Sequence, residues 1–141
     1  MFNAILLNSL LVAAAILIHY EILYRLSSLL ESLTIQPRFR IVIGVLGAMF
    51  AHVVEIWLFA IGYFYMLKTE QYGSLTGNFN NTLMDCSYFS LTTYTSLGFG
   101  DIEPFGYIRF LAGLESLVGL VLIGWTASFM YIKMQKFWDQ K

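Results

Sequence analysis

Charge is what this sequence has least of: 12% of its 141 residues are Asp, Glu, Lys or Arg, against 58% that are hydrophobic. A soluble globule of this length needs a far larger charged surface, and with a mean hydropathy of +0.69 the chain reads as an integral membrane protein. Eight basic and nine acidic residues leave a net charge of −1, which offers no basic surface to nucleic acid. The single cysteine, Cys86, excludes an intramolecular disulfide and a cysteine metal cluster. It reads as a small packing residue, with an intersubunit or redox role as the alternative. No span repeats arginine at every third position, so a conventional voltage sensor is not expected, and neither is a soluble ligand-binding domain after Lys141. No nucleophile motif or metal-ligand spacing stands out either, so the expectation is a protein that is not an enzyme and takes no cofactor.

What the chain does have is long apolar runs. A helix needs about 20 apolar residues to cross the hydrocarbon core. Three segments qualify, from about Ala4 to Tyr24, from about Ile41 to Leu67 and from about Ile108 to Lys133. Met1-Phe2-Asn3 carries no positive charge and the first run is too long for a signal-peptide core, so this span is expected to be retained. Arg25, Arg38 and Arg40 lie between the first two spans, and Lys133, Lys136 and Lys141 follow the third. Those regions are expected to be cytoplasmic. The loop between the second and third spans sets Lys68 and Arg109 against Glu70, Asp85, Asp101 and Glu103, and is expected outside. The N-terminus is then outside and the C-terminus cytoplasmic, in a multi-pass protein of the plasma (cell) membrane.

Between the second and third spans, Lys68 to Gly77 reads as a polar turret, with turn signals at Gly73-Ser74 and Thr76-Gly77. A helix is expected over roughly Thr82 to Tyr94, capped by Asn80 or Asn81, with Asp85 at the positive end of its dipole. It is too short to span a bilayer, and it runs into Thr95-Ser96-Leu97-Gly98-Phe99-Gly100-Asp101, with Pro104 beyond. Non-helical backbone at membrane depth is tolerated only when buried in protein or lining water, which argues for a re-entrant loop at a pore. A dehydrated monovalent cation needs several oxygen ligands, and extended segments ringed about an axis supply them when their carbonyls face one way. Gly98 and Gly100 suit such a backbone because they accept positive φ. Leu97 and Phe99 can then point backward into surrounding protein. A bare Gly-x-Gly also serves ordinary turns; here it follows the hydroxyl-rich run Ser90 to Ser96 and lies between two spans.

This stretch resembles the selectivity filter of the tetrameric potassium-channel family. The resemblance covers about Ile41 to Lys136, and its specific part is Tyr88 to Pro104. It implies an all-α membrane protein with three transmembrane helices plus a re-entrant pore helix and selectivity-filter loop between the second and third. Residues 1–36 would be an accessory transmembrane helix and cytoplasmic loop, and 37–141 the ion-channel pore module. By position, Ser96, Leu97, Gly98, Phe99 and Gly100 would form the filter, with K+ at Ser96, Leu97, Gly98 and Phe99. Tyr88 and Phe89 are similar to the aromatic cuff behind it, and Thr92, Thr95, Asp101 and Glu115 would add support. Ser96 stands where threonine is usual, and its hydroxyl can supply the innermost ligand. Phe99 stands where tyrosine is commonest, and phenylalanine also occurs there in potassium-selective members, notably two-pore-domain channels. Leu97 departs from the usual valine or isoleucine. No second filter-like stretch is present, so one loop per chain implies a homotetramer. The implied function is a K+-selective cation channel conducting passively, whose partners are copies of itself and the bilayer, with no nucleic acid and no soluble ligand. The alternatives are a weakly selective or non-selective cation channel, or a non-conducting regulatory subunit.

The third span carries Gly113, Gly119 and Gly124. The resemblance places Gly119 at a gating hinge, and close helix packing is the other reading. With Gly119 on the back, Leu120, Ile123, Ala127 and Tyr131 would line the inner pore, or else face lipid. Glu115, Glu55 and His52 are ionisable residues within spans and need partners. Glu115 is expected to brace the filter through hydrogen bonds to the hydroxyl-rich pore helix, with His52 and Glu55, three apart on one face, as a second cluster. Either pH sensing or simple anchoring fits these groups. His19-Tyr20-Glu21 reads as an interface or subunit contact. Trp125, Trp138 and the Tyr63 to Tyr65 run suit interfacial belts, and Asn80-Asn81-Thr82 is a sequon on the expected outer side.

Overall fold

Pro37 opens a helix at the position where a missing N–H costs nothing, and the residues on either side of it account for the hairpin of the first two helices. The computed structural model describes residues 2–69 and 71–138; Glu70 and Lys141, used above for orientation, lie outside them. In order the elements are α1 (Phe2–Ser32), α2 (Pro37–Lys68), β1 (Gly73–Gly77), α3 (Leu83–Tyr94), β2 (Ile102–Gly106) and α4 (Ile108–Trp138). The three long helices are each apolar and long enough to cross a membrane. All three outrun the apolar spans read from sequence. In α1 the helix continues past Tyr24 because Leu26 and Leu30 keep a buried face going after hydropathy has fallen.

Small residues decide how α1 meets α2. A Cβ added at Gly62 would stand 2.6 Å from a Leu11 methyl, one at Gly47 2.6 Å from Leu26, and one at Gly44 3.2 Å from Leu30. The pairs run in opposite directions along the two helices, so α1 and α2 are antiparallel with leucine knobs seated on glycines. At the far end Lys133 of α4 donates to Ser27 Oγ (2.6 Å) and Glu31 Oε1 (2.9 Å), and Lys136 reaches the same carboxylate at 2.8 Å. The first span is therefore packed on both neighbours.

Within the expected turret, Gly73–Gly77 forms a strand. β1 pairs antiparallel with β2, Gly73 opposite Gly106 and Gly77 opposite Ile102. The glycines taken as turn signals are close-approach positions: at Gly73, with φ 125°, a Cβ would lie 1.9 Å from the Phe105 carbonyl oxygen. The ribbon joins the chain entering α3 to the chain leaving the loop after it.

The cap of α3 also differs from expectation. Thr82, not Asn80 or Asn81, occupies it: its Oγ1 accepts from Asp85 N (3.1 Å), while Asp85 Oδ2 accepts from the Thr82 and Asn80 amides at 3.3 and 2.9 Å. Thr-x-x-Asp satisfies two orphan donors reciprocally, which a lone Asn cannot do. Thr82 and the Asn80 amide hold the Asp85 carboxyl below the usual carboxylate range. Behind α3, Phe59, Tyr63 and Met66 of α2 and Ile108, Leu111 and Leu122 of α4 form the main core around Cys86, Phe89 and Tyr94.

Candidate functional site

The loop after α3 takes its shape from where its amides go. Thr95 N donates to Leu91 O (3.2 Å), Ser96 N to Thr93 O (2.9 Å), and Leu97 N and Gly98 N both to Thr92 O (2.9 and 3.1 Å). Four successive N–H groups turn back to satisfy carbonyls at the end of α3 that have no helical partner. In a trans peptide the carbonyl points opposite to the following N–H, so the carbonyls of Thr95, Ser96 and Leu97 project away from α3. Positive φ at Ser96 (58°), Gly98 (52°) and Gly100 (79°), with none at Leu97 or Phe99, keeps this alternation going.

Side chains fasten the loop at both ends. Tyr88 OH donates to Asp101 Oδ2 at 3.0 Å, and the Asp101 carbonyl accepts from Asn78 N at 2.8 Å. Thr95 Oγ1 donates to Leu91 O at 2.7 Å, and Thr92 Oγ1 to Phe89 O at 3.0 Å. Ser96 Oγ pairs with Ser116 Oγ of α4 at 2.8 Å. Phe89 sits edge-on to Tyr63 with ring centroids 5.1 Å apart, which ties it to α2 rather than to the loop. Leu97 and Phe99 are 58% and 65% exposed, so within one chain no protein lies behind them.

The inner-helix residues divide by face. Gly119 is buried against α3, where a Cβ would stand 2.0 Å from the Tyr94 carbonyl oxygen; at Gly113 and Gly124 a Cβ would meet nothing within 4 Å. Of the two readings of Gly119, close packing is the one this geometry supplies. Leu120, Ile123, Ala127 and Tyr131 are all exposed, on a flank of α4 beside the face that carries Gly119.

Two buried carboxylates stand behind the loop. Glu115 accepts from Ser90 Oγ of α3 and Tyr63 OH of α2, each at 2.5 Å, which realises the expected brace to the pore helix. Glu55 gathers more partners than the sequence suggested. His52 Nδ1 lies 3.2 Å from Oε2, His19 Nδ1 of α1 lies 2.8 Å from Oε1, and Tyr94 OH donates to Oε2. Thr126 Oγ1 of α4 completes the cluster at 3.3 Å from His19 Nε2 and 3.0 Å from His52 Nε2. His19 is thus fully buried in this chain instead of facing a second subunit, while Tyr20 is exposed and Glu21 pairs with Arg25. Trp125 packs on the His19 ring, with centroids 5.4 Å apart.

A family model described as ion channel matches residues 51–136, from α2 through α3 and the loop into α4, and leaves α1 outside. No curated protein and no solved structure gave a match. With the match covering more than half of the chain, and with three helices able to cross a membrane, this multi-pass membrane protein belongs to an ion-channel family.

Proposed function

We propose that four copies of this chain ring one axis and conduct K+ passively through a selectivity filter of Ser96, Leu97, Gly98, Phe99 and Gly100. The observation that carries this reading is the turning of four consecutive amides onto α3, which frees the carbonyls of Thr95, Ser96 and Leu97 to act as cation ligands. One chain contributes a single such strand, and a dehydrated cation needs several. The exposure of Leu97 and Phe99 in the lone chain supports the same assembly, since a neighbouring copy would cover them. Ser96 contributes its carbonyl in this scheme, while its hydroxyl holds α4 through Ser116. Tyr88 and Asp101 hold the outer end, and Glu115 braces the pore helix from behind.

Residues 37–141 act as the pore module and residues 1–36 as an accessory helix and linker. Arg25 near the end of α1, Arg38 and Arg40 at the start of α2, and the lysines at the end of α4 favour a cytoplasmic position for these helix ends, with the filter outside and the chain in the plasma membrane. Leu120, Ile123, Ala127 and Tyr131 line the inner vestibule, where an apolar constriction gates by dewetting.

The test is a planar bilayer with K+ on one side and Na+ on the other, with Gly100→Ala as control. Gly100 sits at φ 79°, where a Cβ is strained. A reversal potential near the K+ limit, abolished by the substitution, is the expected result. Reversal near zero would support a weakly selective cation pore, the reading favoured by the unbranched Cβ of Leu97. Absence of current from a verified tetramer would support a non-conducting subunit.

A further inference from the structure

We propose that His19, His52 and Glu55 form a binding site for a divalent transition-metal ion of the zinc class, which pins α1 to the pore module. One ligand atom from each of the three lies within 4.8 Å of the others. His19 and Glu55 are fully buried, and the His52 side chain is 17% exposed, which gives an ion its way in. Two imidazole nitrogens and a carboxylate oxygen select Zn2+ and its neighbours over Mg2+ or Ca2+, which prefer all-oxygen sets.

Thr126 is placed to orient both imidazoles as ligands. Its hydroxyl oxygen faces the Nε2 atoms of both imidazoles, at 3.3 and 3.0 Å. A threonine oxygen has two lone pairs, so it can accept from both Nε2–H groups. In that tautomer each Nδ1 presents a lone pair, and both are aimed at the Glu55 oxygens, at 2.8 and 3.2 Å. In that tautomer two lone pairs and a carboxylate converge on one point, a donor set that a metal ion satisfies, whereas the opposite tautomer satisfies Glu55 through Nδ1–H donors. A metal-bound histidine that donates its other N–H to a fixed oxygen is the usual way such ligands are oriented. Ligands about 2.1 Å from one tetrahedral ion stand about 3.4 Å apart. The two Nδ1 to Glu55 spacings lie within a few tenths of an ångström to about half an ångström of that edge. The Tyr94 hydroxyl, 2.8 Å from His52 Nδ1, is placed to supply or hold the fourth oxygen.

The cluster joins α1, α2, α3 and α4 at a sensitive place. Tyr94 ends α3 one residue before the loop begins to turn, and its carbonyl packs on Gly119. An ion here therefore ties α1, which lies outside the family match, to the base of the candidate filter. The competing occupant is a proton, since a single imidazolium can satisfy the same carboxylate.

Metal binding by the full chain tests this without any measurement of current, so its outcome is separable from that of the channel reading. Detergent-purified protein would be stripped with chelator and titrated with Co2+. The expected result is the visible ligand-field absorption of a nitrogen and oxygen site, saturating at one Co2+ per chain and displaced by Zn2+. Glu55→Gln and His19→Gln should abolish the bands, and Thr126→Val should weaken Co2+ binding by roughly 10- to 100-fold. Wild-type protein that stays monodisperse yet takes up neither ion would overturn the proposal and leave a proton as the occupant. Bands that persist unchanged in both ligand variants would overturn it equally, by placing the ion elsewhere.

Discussion

Glu115 on α4 and Glu55 on α2 are both fully buried against α3, but they are held in different ways. Glu115 is met by two hydroxyls, from Tyr63 and Ser90, all inside the region that matches the ion-channel family. Glu55 is met by two imidazoles and a phenol, and one of the imidazoles comes from α1, outside that region. Hydroxyls donate to a carboxylate and do little else near neutral pH, so the Glu115 set is a fixed brace. Imidazoles can gain a proton or ligate a metal, so the Glu55 set can change its occupant while keeping its geometry. The same cost of burying a carboxylate in a membrane protein is met once by a permanent lock and once by an exchangeable one.

The sharpest way to break that contrast is to delete each carboxylate. Glu115→Ala leaves the Tyr63 hydroxyl without its acceptor, while Ser90 keeps the Ile56 carbonyl, and opens a cavity, at a cost of about 3–4 kcal/mol. Glu55→Ala should cost less, about 2 kcal/mol, because His52 keeps Tyr94 and both imidazoles keep Thr126. Thermal unfolding in detergent compares the two, and equal losses would erase the distinction. Gly119→Ala comes next: its Cβ must push on the Tyr94 carbonyl, a backbone atom, at about 1–3 kcal/mol. Since the same residue carries the phenol bound to Glu55, tyrosine fluorescence or Co2+ binding should respond along with stability. Thr126→Val should cost about 1 kcal/mol and leave the Glu115 set untouched, so that a double variant with Ser90→Ala is additive. Coupling between those two sites would mean that the two carboxylates act as one unit.

The smallest effect belongs to the cap of α3. Thr82→Ala should lower stability by about 1 kcal/mol. Asp85 is held below its ordinary value, so its contribution is complete above about pH 4 and fades as pH falls through the lower folded value. Wild-type melting temperature should therefore drop more than that of Asp85→Asn on acidification below about pH 4, and parallel curves would count against the capping role.

Much of the fold was legible because hydropathy acts over whole spans, and lipid-facing helices have few other ways to be built. The ends were not: Leu26 and Leu30 extend α1 through burial on α2, which no local window sees. The β ribbon was hidden because glycine at a close strand approach and glycine at a turn look alike in sequence. In the candidate site, the loop was readable from Gly98, Gly100 and the hydroxyl run, and Glu115 from its cost in a span. His19 was not, since it meets Glu55 across 36 residues of chain, and its partner is chosen by how α1 seats on the α2 glycines. Ser116 and Thr126 carried no signal of their own, and Tyr63, expected in an interfacial belt, is instead fully buried on Glu115, because a hydroxyl in an apolar helix has many uses and only packing selects one.

The two ion pairs of Lys133 and Lys136 with Glu31 make α1 a mechanical stay for the last turns of α4. An outward swing of that end must either stretch two ion pairs or carry α1 with it, and α1 is keyed into α2 by Leu11, Leu26 and Leu30. Bending at one point of α4 is thereby exchanged for a coordinated tilt of three helices. The work of any such motion is spread over the length of the bundle, where lateral pressure and thickness of the surrounding bilayer can act on it.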